Sequence, residues 1–133
     1  MESLPAASRR LVVTGGICAL LAVVFGAFGA HAVRGMITPD LFAAYQTGAQ
    51  YQFYHALGII AIGIVSAFPP TRRCIQIAGW LMLAGIVLFS GSLYLLALTG
   101  VRLLGAVTPL GGIAFIAAWA TFVVSLLRDK SRT

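Results

Sequence analysis

Long uncharged apolar runs alternate along this chain with short polar joints. Leu11 to Ala30 holds twenty residues without a charge, the length an α-helix needs to cross about 30 Å of hydrocarbon. Further runs follow at Tyr51 to Phe68, Gln76 to Leu98 and Ala106 to Leu127. Each is too long and too uniformly apolar for the surface helix of a water-soluble protein, so the pattern predicts four transmembrane helices. The joints carry matching punctuation. Pro69-Pro70 stops the second helix, because proline lacks an N–H and clashes with the preceding turn. Gly100 closes the third. Thr38-Pro39 and Thr108-Pro109 both read as helix starts, with threonine as N-cap and proline in the first helical position. Asp40 then sits favourably at the positive end of the helix dipole. From Pro39 to Phe68 only isolated glycines interrupt, and thirty helical residues would make a rod of roughly 45 Å. An extended or interfacial helix is therefore expected to lead into the second span; a horizontal piece breaking near Gly48 is the other geometry.

Composition supports a bilayer as the solvent. Hydrophobic residues make up 60% of the 133 positions and charged residues only 9%, with a mean hydropathy of +0.99. Soluble domains carry about 25% charged residues. No linker or low-complexity stretch divides the chain, so residues 1–133 are expected to form a single transmembrane domain. The fold class expected is all-α: a polytopic membrane protein with four helices in an antiparallel bundle.

The net charge of +6 changes the picture only through its distribution. It forms no basic face and no reading motif, which argues against nucleic acid. Arg9, Arg10, Arg72, Arg73, Arg128, Lys130 and Arg132 fall on one side of the spans, and Arg34 and Arg102 on the other. This bias places both termini in the cytoplasm of a multi-pass protein of the cell inner (plasma) membrane. Ser8-Arg9-Arg10-Leu11 resembles part of a twin-arginine signal, but the apolar run behind it exceeds a normal signal core. Cys18 and Cys74 have no metal spacing and are expected to be packing residues.

The candidate chemistry collects on the non-cytoplasmic side. Ala44 to Gly58 carries three tyrosines, three glutamines and a histidine. Helical spacing puts His55 on a face with Ala44, Gly48, Tyr51, Gln52 and Ile59, while Gln46, Gln50 and Phe53 lie more nearly opposite. That second set suggests contact with another subunit. His31 and His55 are expected at similar depth, with Arg34, Arg102 and Asp40 nearby and Tyr94 reaching the same level from the third span. The candidate ligand-binding residues are His31, Arg34, Gln50, Tyr51, Gln52, His55, Tyr94 and Arg102. Gly15, Ala19, Ala22, Gly26, Gly29 and Ala30 form a stripe of small residues suited to close helix packing or to an oligomer interface. The stripe leaves a fork. If it packs within the protomer, His31 faces headgroups or a partner; if it is a subunit interface, His31 faces the bundle interior.

No Ser/His/Asp order, carboxylate pair, metal cluster or phosphate loop is present, so no enzyme activity, metal or cofactor is expected. The leading reading is a homo-oligomeric structural or lipid- and ligand-binding membrane protein, with membrane lipid and its own copies as partners and any small-molecule ligand undefined. A small oligomeric channel or transporter is the alternative. A proton-coupled exporter would need a carboxylate at mid-membrane, and Glu2, Asp40 and Asp129 all lie outside the spans. A bis-His haem or quinone-linked redox protein is a further alternative, resting on His31 and His55.

"FGAFGAHAVRG", "TPDLFAAYQTGAQYQFYHALGII" and "GSLYLLALTG" resemble signature segments of the small YgdD-type membrane proteins. That family includes bacterial inner-membrane proteins and eukaryotic four-span relatives and is classed as of unknown function. The likeness covers nearly the whole chain. It implies a polytopic membrane protein and supplies no catalytic residues.

Overall fold

The computed structural model describes residues 3–68 and 72–129. The expected stop at Pro69-Pro70 lies outside these, as do Glu2, Lys130 and Arg132. The described residues form helices joined by short turns and loops, with no strand among them. Helix α1 spans Ala6–His31, and a short 3₁₀ turn at Val33–Gly35 leads to α2, Pro39–Val65. Helix α3, Arg72–Gly85, runs through five residues of wider π-type turn, Ile86–Ser90, into α4, Gly91–Thr99. A second 3₁₀ turn, Arg102–Ala106, precedes α5, Thr108–Asp129. Among the described residues, three stretches are long and apolar enough to cross a membrane: Ala6–Gly35, Arg73–Thr99 and Arg102–Arg128. Helix α2 has the length, at 27 residues, but not the apolarity, because Gln46, Gln50, Gln52 and His55 lower it.

The helix ends follow the local chemistry with two variations. Gly100 caps α4 in the left-handed region at φ 70°, a conformation that costs a residue with a Cβ far more. Pro39 starts α2 after an extended Thr38, as expected. The Thr38 hydroxyl, however, donates to the Asp40 carboxylate, and its oxygen accepts from no N–H of the first turn. That bond is the main reason the Asp40 carboxyl sits below its ordinary pKa, with Arg102 adding a smaller pull. Asp40 therefore keeps its charge at neutral pH and loses this support only in acid. Helix α5 begins one residue earlier than expected, at Thr108, whose hydroxyl pairs with Ser92 at 2.7 Å. The Ser92 proton is already given to the Phe89 carbonyl at 2.9 Å, so Thr108 is the donor.

Helix α2 is continuous from Pro39 to Val65, without a break at Gly48. It runs antiparallel to α1, which the paired contacts show: a Cβ on Gly29 would meet the Tyr45 ring, one on Gly15 would meet Ala56 and Ile60, and one on Gly63 would meet Val12. On its other side α2 meets α3, with Gly58 against Met82, and α4, with Gly48 against Leu93 and Tyr94. Helix α5 packs against α3 and the wider turn, where Gly85 meets Phe115 and Gly111 meets the Phe89 backbone. These glycines are where the helices come closest, since a side chain on either partner would hold them apart. The main core gathers Leu11, Ile59, Ile62, Ile75 and Met82, with Phe115 and Ala118 from α5. A smaller cluster of Val33, Tyr45 and Ala97 closes the opposite end.

Candidate functional site

The polar residues of α2 separate into an inward set and an outward set. Gln52 is buried and bridges three helices. Its Nε2 donates to the Cys18 carbonyl of α1 at 2.9 Å, and its Oε1 accepts from the Tyr94 hydroxyl of α4 at 2.7 Å. Tyr45, one heptad earlier on the same face, donates to the Phe25 carbonyl at 2.6 Å. Ser90 donates to the Gly48 carbonyl at 2.7 Å. Each bond ties α2 to a neighbour and shields a polar group from lipid, where an unsatisfied one costs several kcal/mol. Among the described residues no buried side-chain nitrogen or oxygen lacks a partner.

His55 is also buried, but its bond is local. Its Nδ1 lies 2.8 Å from the Tyr51 carbonyl one turn earlier. A carbonyl only accepts, so Nδ1 carries the proton. The imidazole lies flat on the Phe115 ring, with centroids 3.5 Å apart and planes 10° apart. Tyr51 stacks on Phe89 at 4.6 Å, and the four rings form one apolar layer between α2, α5 and the wider turn. Tyr51 is 39% exposed, so it flanks the buried face rather than lying on it. The buried face of α2 instead starts at Tyr45 and passes through Gly48, Gln52, His55 and Ile59.

His31 does not join His55. It ends α1 and is exposed. Cys18 lies beside Gln52, and Gly15 beside Ala56, so His55 is level with residues 15 to 18 of α1. Thirteen residues separate Cys18 from His31, or roughly 20 Å along the helix. The expectation of similar depth is therefore corrected, and the geometry does not offer the two imidazoles to one haem. A second span that starts at Tyr51 puts both histidines at the outer end. The helix in fact enters from Pro39, and His55 lies four turns down it.

The small-residue stripe also divides. Gly15, Ala22 and Gly29, spaced by seven, are buried within the protomer. Ala19 is half-buried, whereas Gly26 and Ala30 are exposed. A Cβ on Gly26 would meet nothing within 4 Å. Gly26, Gly29 and Ala30 form the floor of a groove of about 150 Å³ whose far wall is Phe42, Gln46 and Gln50 of α2. A second hollow of about 410 Å³ shares Ala30, Phe42 and Gln46 with it and extends to Arg34. The groove thus joins residues expected to pack helices with residues expected to bind a ligand. Gln46 and Gln50 have no hydrogen bond among the described residues. Arg102 is elsewhere, 4.0 Å from Asp40, with both side chains largely exposed; such a pair contributes little.

Of the eight candidates, the structure brings Gln52 together with Tyr94, places Tyr51 against His55, and sets Gln50 and Arg34 along one connected groove. His31 and Arg102 stand apart. Tyr45, Ser90 and the carbonyls of Cys18 and Phe25 are partners outside the eight candidates. Tyr45 has a sequence signal, the seven-residue spacing to Gln52. The carbonyls have none, since backbone acceptors are alike in every residue. Among the described residues no group of three or more metal-ligating side chains converges.

A family model for a protein of unknown function, DUF423, matches residues 25–112, the stretch holding the groove, Gln52 and Tyr94. The chain belongs to the DUF423 family. It is 48% identical over 120 residues to the UPF0382 membrane protein YwdK of Bacillus subtilis, covering 90% of this chain and 98% of that one. UPF0382 membrane proteins of Staphylococcus haemolyticus and Staphylococcus epidermidis are 43% and 44% identical over the same length, covering 90% of this chain and 97% of each relative. No solved structure matches this DUF423 chain. The resemblance to a small membrane family without an assigned reaction holds at this level, and the chain is a small integral membrane protein.

Proposed function

We propose that this DUF423 protein is a non-enzymatic, four-span protein of the plasma (inner) membrane that acts as a homo-oligomer joined through the groove between α1 and α2. Helix α2 counts as the fourth span. Its glutamine and histidine lower its hydropathy, yet Gln52 and His55 are covered by α1, α4 and α5 and do not meet lipid. Arg9, Arg10, Arg73 and Arg128 lie at one end of the helices, and Arg34 and Arg102 at the other, which favours cytoplasmic termini.

The observation that carries the self-association reading is the groove itself. Its floor is small enough for a second backbone to approach closely at Gly26 and Ala30. Its wall offers two amides, Gln46 and Gln50, that make no hydrogen bond among the described residues. An amide both donates and accepts, so the same surface on two copies is self-complementary across a two-fold axis. The inward polar groups Tyr45, Gln52, Ser90 and Tyr94, by contrast, already have partners within the protomer.

Native mass spectrometry of the full chain in mild detergent tests this. Wild-type protein should appear above the mass of one chain. Gly26→Leu fills open space, so it should keep the fold and yield monomer, and Gln50→Leu should weaken association. A wild-type protein that is monomeric in detergent and uncrosslinked in membranes would refute it.

A further inference from the structure

We propose that the cleft between the beginning of α1 and the middle of α3 is a binding site for an acidic glycerophospholipid. Arg9, Arg10, Val13 and Thr14 of α1 and Trp80 of α3 line a hollow of about 280 Å³. Neither arginine has a carboxylate partner among the described residues. Arg10 and Thr14 are four apart and share a helix face, as do Arg9 and Val13.

Thr14 sets the place apart from an ordinary basic helix end. Thr47, Thr99, Thr121 and Ser125 each donate to the carbonyl four residues earlier. The Thr14 hydroxyl makes no hydrogen bond among the described residues. Two guanidinium groups and a free hydroxyl converge on one hollow, and a phosphodiester offers the oxygens that all three can donate to. Topological charge alone accounts for the arginines but not for this hydroxyl or for the indole opposite it.

The occupant's other half follows from what lies beyond the cations. Val13, Ile17 and Leu21 are 54%, 53% and 41% exposed and continue up α1, and Trp80 is 46% exposed as the facing wall. An acyl chain can lie along that track below a phosphate held at Arg9 and Arg10. A free phosphate ester would leave it bare. Two unpaired cations favour a headgroup of net negative charge over a zwitterionic one, since each basic residue near an anionic headgroup contributes about five-fold in affinity.

The chain has two tryptophans, so Trp119→Phe leaves Trp80 as the sole reporter. That protein is reconstituted in phosphatidylcholine vesicles containing a small fraction of lipid brominated near the headgroup, either phosphatidylglycerol or phosphatidylcholine. The brominated phosphatidylglycerol should quench Trp80 at a mole fraction at least about five-fold lower than brominated phosphatidylcholine. Adding Arg9→Gln and Arg10→Gln should abolish the difference. Thr14→Val, which leaves every charge and hence the topology intact, should reduce it. Equal quenching by the two lipids would overturn the proposal, as would a preference that survives both the arginine and the Thr14 substitutions. Displacement of the brominated lipid by millimolar inorganic phosphate would also overturn it, by showing an anion site without a lipid.

Discussion

Gly15→Leu should unfold the α1–α2 pair, and Gly16→Leu, one residue away, should leave it intact. A Cβ on Gly15 would lie 2.8 Å from the Ala56 carbonyl oxygen and 2.9 Å from the Ile60 nitrogen. Both are backbone atoms that cannot rotate aside, so relief requires moving one helix from the other. Overpacking usually costs 1–3 kcal/mol, and a backbone obstacle puts this case at the top, about 3 kcal/mol or more. Gly16 has nothing within 4 Å of its would-be Cβ, and its substitution should stay within about 0.5 kcal/mol. Equilibrium unfolding in mixed micelles, followed by tryptophan fluorescence, measures both. Similar midpoints for the two variants would refute the close α1–α2 contact.

Gln52→Leu should be more damaging than His55→Leu, although both are buried polar residues one turn apart on α2. Gln52 ties α2 to α1 through the Cys18 carbonyl and to α4 through Tyr94. Replacing it strands the Tyr94 hydroxyl inside the protein, a loss of about 1–3 kcal/mol. A double-mutant cycle with Tyr94→Phe should return a coupling of about 1 kcal/mol, within the range seen for hydrogen bonds between membrane helices. His55 bonds only to its own helix and otherwise packs on Phe115. Leucine there strands no partner and should cost less than about 1.5 kcal/mol. Equal losses for the two variants, or no coupling between positions 52 and 94, would contradict the assigned bonds.

Much of this architecture is legible in the residue pattern. The three most apolar rods, the Gly100 cap and the Pro39 start all follow from rules that act within a helical turn or from simple length. The second helix is harder, because hydropathy counts Gln52 and His55 as polar wherever they point. Gln52 is compatible with a helix core through partners 34 and 42 residues distant in sequence, Cys18 and Tyr94, and His55 through the Phe115 ring of α5. The same blindness misplaces His55 in depth. Comparing it with His31 requires the depth at which α2 crosses α1, and that depth is fixed by the Gly15 and Gly63 approaches. The stripe of small residues was visible as composition. Its division into Gly15 and Gly29 facing inward and Gly26 and Ala30 facing outward depends on which neighbour covers α1.

In the proposed four-span topology α2 crosses the membrane with its polar face covered by the other helices. Four crossings return the chain to the side on which it began, and three do not. A fluorescent protein that matures only in the cytoplasm, fused in turn to each end of the full chain, reads this directly. Both fusions should fluoresce in bacterial cells. Fluorescence from one end only would contradict it, because an odd number of crossings would leave α2 outside the hydrocarbon.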